Sequence, residues 1–260
     1  MLRLMSLALC VQLAFLTPYA QSTESSRASP LHLAVTGAPA ENGKGLNMFD
    51  RLVALAETGN ADAQYNLGMF YNNGIGTQRN TASAFRYFAK AAQAGHLLAS
   101  YKVGCYYARQ FGSVVPLDEQ AALTYKLRAA EAGYDLAQHD VGMHFAKNGD
   151  MDKASFWWEK ASQQGYTPST AYLANYFSRT SSSDKVRGLA LLLVLKDQAT
   201  KMTEELSERL AGAQAALSED DRLKAERIRA AWSSARTPLS TVARAGISAV
   251  PALLQSAARP

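Results

Sequence analysis

The chain has 260 residues, of which 48% are hydrophobic, and its 27 Lys and Arg against 22 Asp and Glu give a net charge of +5. Both signs of charge are mixed along the whole length, so there is no basic face or stripe of the kind a nucleic-acid binder needs. The hydrophobic content is that of an ordinary folded protein, and the length suits a single extended domain.

In chain order, Arg3 is followed by an apolar run from Leu4 to Leu16. That run is too short to span a bilayer, and it ends in Thr17-Pro18-Tyr19-Ala20. Residues 1–22 therefore read as a secretory signal cut after Ser22, with the small Ala20 at the minus-three place. Cys10 has Leu9 before it, where a lipid-modified cysteine needs a small residue. The expectation is an exported chain, periplasmic or secreted, with no stable membrane insertion once the signal is gone. Loss of Arg3 leaves a charge of +4 and loss of Cys10 leaves Cys105 alone, so the mature chain can form no intramolecular disulfide. Residues 23–46 are rich in Ser, Thr, Ala, Gly and Pro and show no periodicity, which reads as a flexible linker.

Asn47 is expected to cap a helix that turns Phe49, Leu52, Val53, Leu55 and Ala56 inward and ends at Gly59. One motif then follows three times. Its first copy holds Ala63, Tyr65, Leu67, Gly68 and Tyr71, a loop, then Ala84, Tyr87, Phe88, Ala91, Ala92 and Gly95. The second holds Ala99, Tyr101, Val103, Gly104 and Tyr107, then Ala122, Tyr125, Ala129, Ala130 and Gly133. The third holds Ala137, His139, Val141, Gly142 and Phe145, then Ala154, Trp157, Trp158, Ala161 and Gly165. The closing glycines recur at intervals of 36, 38 and 32 residues, the period of a helical repeat array. Positions four apart, such as Ala63, Leu67 and Tyr71, share one helical face. Gly68 and Gly104 fall inside a helix, where glycine costs about 1 kcal/mol relative to alanine. Close helix–helix approach is the physical reason to keep them.

A weaker fourth copy places Leu173, Ala174 and Phe177 where Leu67, Gly68 and Tyr71 fell. Ser181 to Asp184 forms its loop and cap, and Leu189 to Leu195 its buried second helix. Beyond it, Met202, Leu206, Leu210 and Leu217 mark one helix, and Leu223, Ile228 and Trp232 another. Thr237-Pro238 opens a last helix running to about Gln255, which Pro251 should kink or interrupt. This divides the mature chain into an array over residues 47–200 and a helical C-terminal cap or tail over 201–260.

The pattern A-x-x-x-L-G-x-x-Y, a loop such as Asn73-Gly74-Ile75-Gly76, then A-x-x-Y-F-x-K-A-A-x-x-G resembles the Sel-1-like repeats, relatives of the tetratricopeptide repeats. The resemblance covers about residues 49–235. It implies an all-α fold: a right-handed α/α solenoid of about four helix pairs, with an N-terminal capping helix and C-terminal capping helices. It also implies a non-catalytic scaffold or adaptor that binds another protein in the bacterial cell envelope. A sharper form is a periplasmic immunity protein that neutralises a phospholipase-type toxin, and a rival form is an enzyme of cell-wall or β-lactam chemistry. The β-lactam activity linked to cysteine-rich relatives does not carry over, because this chain lacks their cysteine framework.

The candidate chemical motifs point the same way. Ser182-x-x-Lys185 matches the short pattern of penicillin-recognising enzymes, but no Ser-Asp-Asn or Lys-Thr-Gly accompanies it. His139 and His144 are five apart, which puts them about 140° apart around a helix, off the shared face that metal ligands need. No cysteine cluster, His-Glu-x-x-His or phosphate loop is present. The sequence thus calls for no catalytic residue, no metal and no cofactor. Trp157-Trp158 fill the paired aromatic positions of Tyr87-Phe88. The partner surface is expected along the first helices of successive pairs, in two rows: Tyr65, Tyr101 and His139, and Met69, Cys105 and Met143. Aromatic and Met side chains suit an adaptable binding face.

Overall fold

Residues 47–258 are described by a computed structural model; the signal and linker expected at residues 1–46 lie outside them. The described residues form helices and no strand. Helix α1 (Met48–Glu57) precedes four antiparallel pairs: α2 (Ala61–Asn73) with α3 (Thr81–Gln93), α4 (Leu97–Tyr107) with α5 (Glu119–Glu131), α6 (Asp135–Lys147) with α7 (Met151–Gln163), and α8 (Thr167–Phe177) with α9 (Ser182–Gln198). Each helix packs on the next in sequence, so the pairs stack as an α/α solenoid. Helices α10 (Glu204–Ala215) and α11 (Glu219–Ala230) pack on α9 and close that end through Leu210, Leu217 and Ala225.

The local chemistry explains the elements. Asn47, Asn60, Asn80, Asp118 and Asp150 each accept a first-turn backbone N–H at the start of their helix. The turns between pairs end on Gly59, Gly95, Gly133 and Gly165, all with positive φ. At Gly95 the His96 N–H donates to the Ala91 carbonyl and the Gly95 N–H to that of Ala92. This double closure needs a left-handed residue, which glycine supplies without strain.

Glycines inside the first helices set how closely the pairs approach. A Cβ on Gly68 would lie 2.7 Å from the Phe88 ring, and one on Gly142 would lie 2.5 Å from Trp158. Each glycine is a notch that seats an aromatic ring of the partner helix. The fourth pair reverses the device: Gly188 on the second helix approaches Ser178 and the Ala174 carbonyl of the first.

The stretch after α11 is interrupted ahead of Pro251 rather than at it. It forms α12 (Pro238–Ala245), a 3-10 turn over Gly246–Ala249 and α13 (Val250–Ser256). The break falls at Gly246, which has φ 51° and ψ −136°. Pro251 lies in the first turn of α13, where a missing N–H costs no helical hydrogen bond. Nor does this stretch stay at the C-terminal end. Val250 and Leu254 pack with Leu52 and Ala56 of α1, at the opposite end of the array.

Candidate functional site: a charged cleft between the second and third pairs

The second pair breaks the rule of its neighbours. Where α3 carries Phe88 and α7 carries Trp158, α5 carries Lys126. Its stem lies on the Gly104 notch, so that a Cβ there would meet Lys126 Cγ at 2.8 Å and the Ala122 carbonyl at 2.9 Å. The Lys126 side chain is only 9% exposed and its ammonium lies 2.5 Å from Asp140 Oδ2, itself 18% exposed. Tyr101 donates its hydroxyl to the same oxygen at 3.3 Å, and the ammonium lies 5.8 Å from the centre of the Tyr101 ring. A buried ammonium is costly unless paired and hydrogen-bonded, and α6 of the next pair supplies that pairing through Asp140. An ion pair thus replaces an aromatic plug at one joint of the array.

A cleft of about 210 Å³ opens beside this pair, between α4, α5 and α6. Leu123 and Val141 make its apolar wall, and Lys126, Asp140 and His144 its polar one. At the rim, Lys147 and Glu119 pair at 2.7 Å, and this contact holds Glu119 below the usual carboxylate range. Leu117, 53% exposed, stands at the same rim. A second cleft of about 350 Å³ lies between α8, α9 and α10 and is lined by Lys185, Arg209, Asn175 and Ser178. It is larger, but it holds no buried charge pair.

The six side chains expected on the partner surface do not form an open surface. Tyr65, Tyr101 and Cys105 are buried, and Met69, His139 and Met143 are half-buried. Tyr65 stacks on His96 of the next pair at 4.5 Å, and burial pushes its phenol up to about 12. Tyr101 meets Tyr134 edge-on at 5.0 Å, and burial pushes the Cys105 thiol up to about 11. His139 Nδ1 lies 2.9 Å from the buried Ser169 hydroxyl, and its ring rests against Tyr166 and Tyr172. Met69 and Met143 border the apolar clusters of their own joints. The reason is geometric: residues on this face of a first helix meet the next pair in the stack. His144 faces elsewhere, into the charged cleft, as the five-residue spacing requires.

Other expected features fall as follows. Trp158 is 2% exposed, whereas its neighbour Trp157 is half-buried. Ser182 is the first residue of α9, which Ser181 caps, and Lys185 lines the larger cleft. Among the described residues no group of three His, Cys, Asp or Glu could hold a metal, and no helix is long and apolar enough to cross a membrane. Lys126 and Asp140 escaped the sequence reading. Their one signal was the lysine standing at the Phe88 and Trp158 position when the three copies are aligned.

Stacked antiparallel pairs with glycine notches and glycine-closed turns define a helical-repeat scaffold. More particularly, the Sel1 repeat model matches residues 61–96, 97–134 and 136–166, and the chain belongs to the Sel1 repeat family. Among solved structures, the chain is similar to a protective antigen of uropathogenic Escherichia coli strains displaying an SLR fold. That match has 21% identity and a TM-score of 0.60, covering 88% of this chain and 47% of the other. The chain thus spans about half the length of that protein. It is also similar to a Sel1 repeat protein from Oxalobacter formigenes, at 30% identity and a TM-score of 0.45, covering 50% of this chain and 99% of that one. No curated protein matches the chain. Sel1 repeat proteins are typically protein–protein interaction scaffolds.

Proposed function

We propose that this protein is an exported, non-catalytic scaffold of the bacterial cell envelope that binds a protein partner at the joint between its second and third helix pairs. The observation that carries the reading is the Lys126–Asp140 pair. It stands where the flanking repeats place an apolar ring, beside a cleft with a charged rim and an exposed Leu117. A buried ion pair is weak as a device for stability. A recess combining an apolar wall with charges of both signs suits a partner side chain that is itself amphipathic, and Leu117 offers an apolar anchor at its edge. Export rests on the charged and apolar pattern of residues 1–22.

The test is co-purification from the envelope of the source bacterium. The tagged full chain is compared with Leu117→Arg and Lys147→Glu, two exposed changes that leave the core untouched. The expected result is one stoichiometric protein partner held by the original chain and lost from both variants. A partner retained by both variants, or none held by the original chain, contradicts the reading.

A further inference from the structure

The segment after α11 is a strap along the edge formed by the turns between pairs. The Ala235 N–H donates to the Gln163 carbonyl at 3.0 Å, beside the turn of Gly165. At the next turn, the Thr237 hydroxyl donates to the Gly133 carbonyl at 2.8 Å and the Thr237 N–H to Gln164 Oε1 at 3.0 Å. Ser240, fully buried, accepts the Asp135 N–H at 2.9 Å and lies 2.8 Å from Gln164 Oε1. Leu239 and Ala243 then pack beside Tyr134 and Tyr65, and Val250 and Leu254 reach α1.

Two features of this edge are completed only by the strap. Helices α2 and α4 begin at Asn60 and His96, whose side chains accept their own first-turn N–H groups. Helix α6 begins at Tyr134, whose side chain makes no cap hydrogen bond, and Ser240 of the strap accepts the N–H of its first residue, Asp135. The Asp135 carboxylate, 2% exposed, pairs at 2.7 Å with Arg244, a strap residue that is 47% exposed. Thr237, Ser240 and Arg244 follow at steps of three and four, so one helical face carries all three contacts.

The strap itself is lightly held. Between residues 233 and 256 only Ser240, Val250 and Leu254 are buried. Segments with few buried contacts open at low free-energy cost, independently of the core.

We infer that the turn edge around Gly133, Asp135 and Gln164 is a second recognition surface, and that the strap is its resident occupant. The surface takes a helical protein segment with Thr or Ser hydroxyls three residues apart and an arginine four residues beyond. Such a segment displaces α12 and reaches the edge only as often as the strap opens, which lowers its apparent affinity. The edge lies at the N-terminal end of α6, about 18 Å along the helix from Lys147 at the charged cleft. The cleft and the edge therefore succeed or fail in separate experiments.

The probe is a labelled synthetic peptide of residues 233–258, titrated into the full chain and into its Arg244→Glu variant, where a second carboxylate beside Asp135 loosens the strap. The expected result is binding to the variant about 10-fold tighter or more than to the original chain, with binding lost when Asp135→Asn is added. Binding that is no tighter in the variant, or survives Asp135→Asn, overturns the inference. If the variant does not fold, hydrogen exchange on the unaltered chain decides. Strap amides that open separately from α4 to α6 support the inference, and strap amides that open only with them overturn it.

Discussion

The first and third helix pairs seat an aromatic ring on a glycine, whereas the second seats a lysine. Phe88 on Gly68 and Trp158 on Gly142 are plugs whose apolar area leaves water on folding. Lys126 on Gly104 fills the same notch with its stem but carries a charge that the next pair must neutralise through Asp140. The difference shows that the backbone of such an array tolerates a change of chemistry at a joint, provided the glycine notch is kept and the neighbour adapts. It also separates two uses of one position: two joints serve cohesion and one opens a charged recess.

The comparison is broken most forcefully at the plugs. Phe88→Ala and Trp158→Ala should each lower the unfolding free energy by about 3–5 kcal/mol in urea titration. Losses below about 1 kcal/mol would mean the rings do not hold the joints. Trp157→Ala should cost clearly less than Trp158→Ala, because Trp157 is only half-buried. At the second joint, Asp140→Ala strands a buried ammonium and should cost about 3–5 kcal/mol. A silent Asp140→Ala would show that Lys126 reaches water by itself.

A smaller effect comes with pH. Burial lowers the pKa values of His96 and His139 below the ordinary 6.5. The charge of Asp62 at 3.3 Å opposes part of this at His96. The folded state then binds fewer protons than the unfolded one. Stability is full above the ordinary value and falls as the pH drops below it toward the folded values. Protonation would also remove the Nδ1 acceptor that caps Ala99. The melting temperature should fall between about pH 7 and about pH 5. His96→Asn, which retains a cap like that of Asn60, should flatten part of that fall. The smallest expected signal is at Cys105: with its thiol raised to about 11 by burial, labelling in the folded protein should be at least ~100-fold slower than in denaturant.

The array was legible in the sequence because its turns and notches are stereochemical demands. Gly95, Gly133 and Gly165 recur because the double turn closure needs positive φ, and Gly68 and Gly142 because a ring occupies the space of a Cβ. The surface was less legible. Periodicity says that Tyr65 and Met69 share a face, but not that the next pair in the stack covers it. Lys126 reads in isolation as one more solvated helix charge, and its burial depends on Asp140 fourteen residues on, in another helix. The strap carries no repeat. Its contacts join Thr237 to Gly133 and Arg244 to Asp135 across more than a hundred residues, and no local pattern encodes that distance.

The most direct test gives the second joint the ring of the first. Lys126→Phe places the ring of Phe88 at this joint, and Asp140→Asn removes the charge that would be left without its partner. Urea unfolding and partner capture would be measured on the same protein. The expected result is stability unchanged or raised, by up to about 4 kcal/mol as for other buried ion pairs replaced by apolar groups, together with loss of the captured partner. A variant that is less stable than the original chain and still holds its partner would contradict it, because the ion pair would then serve cohesion rather than recognition.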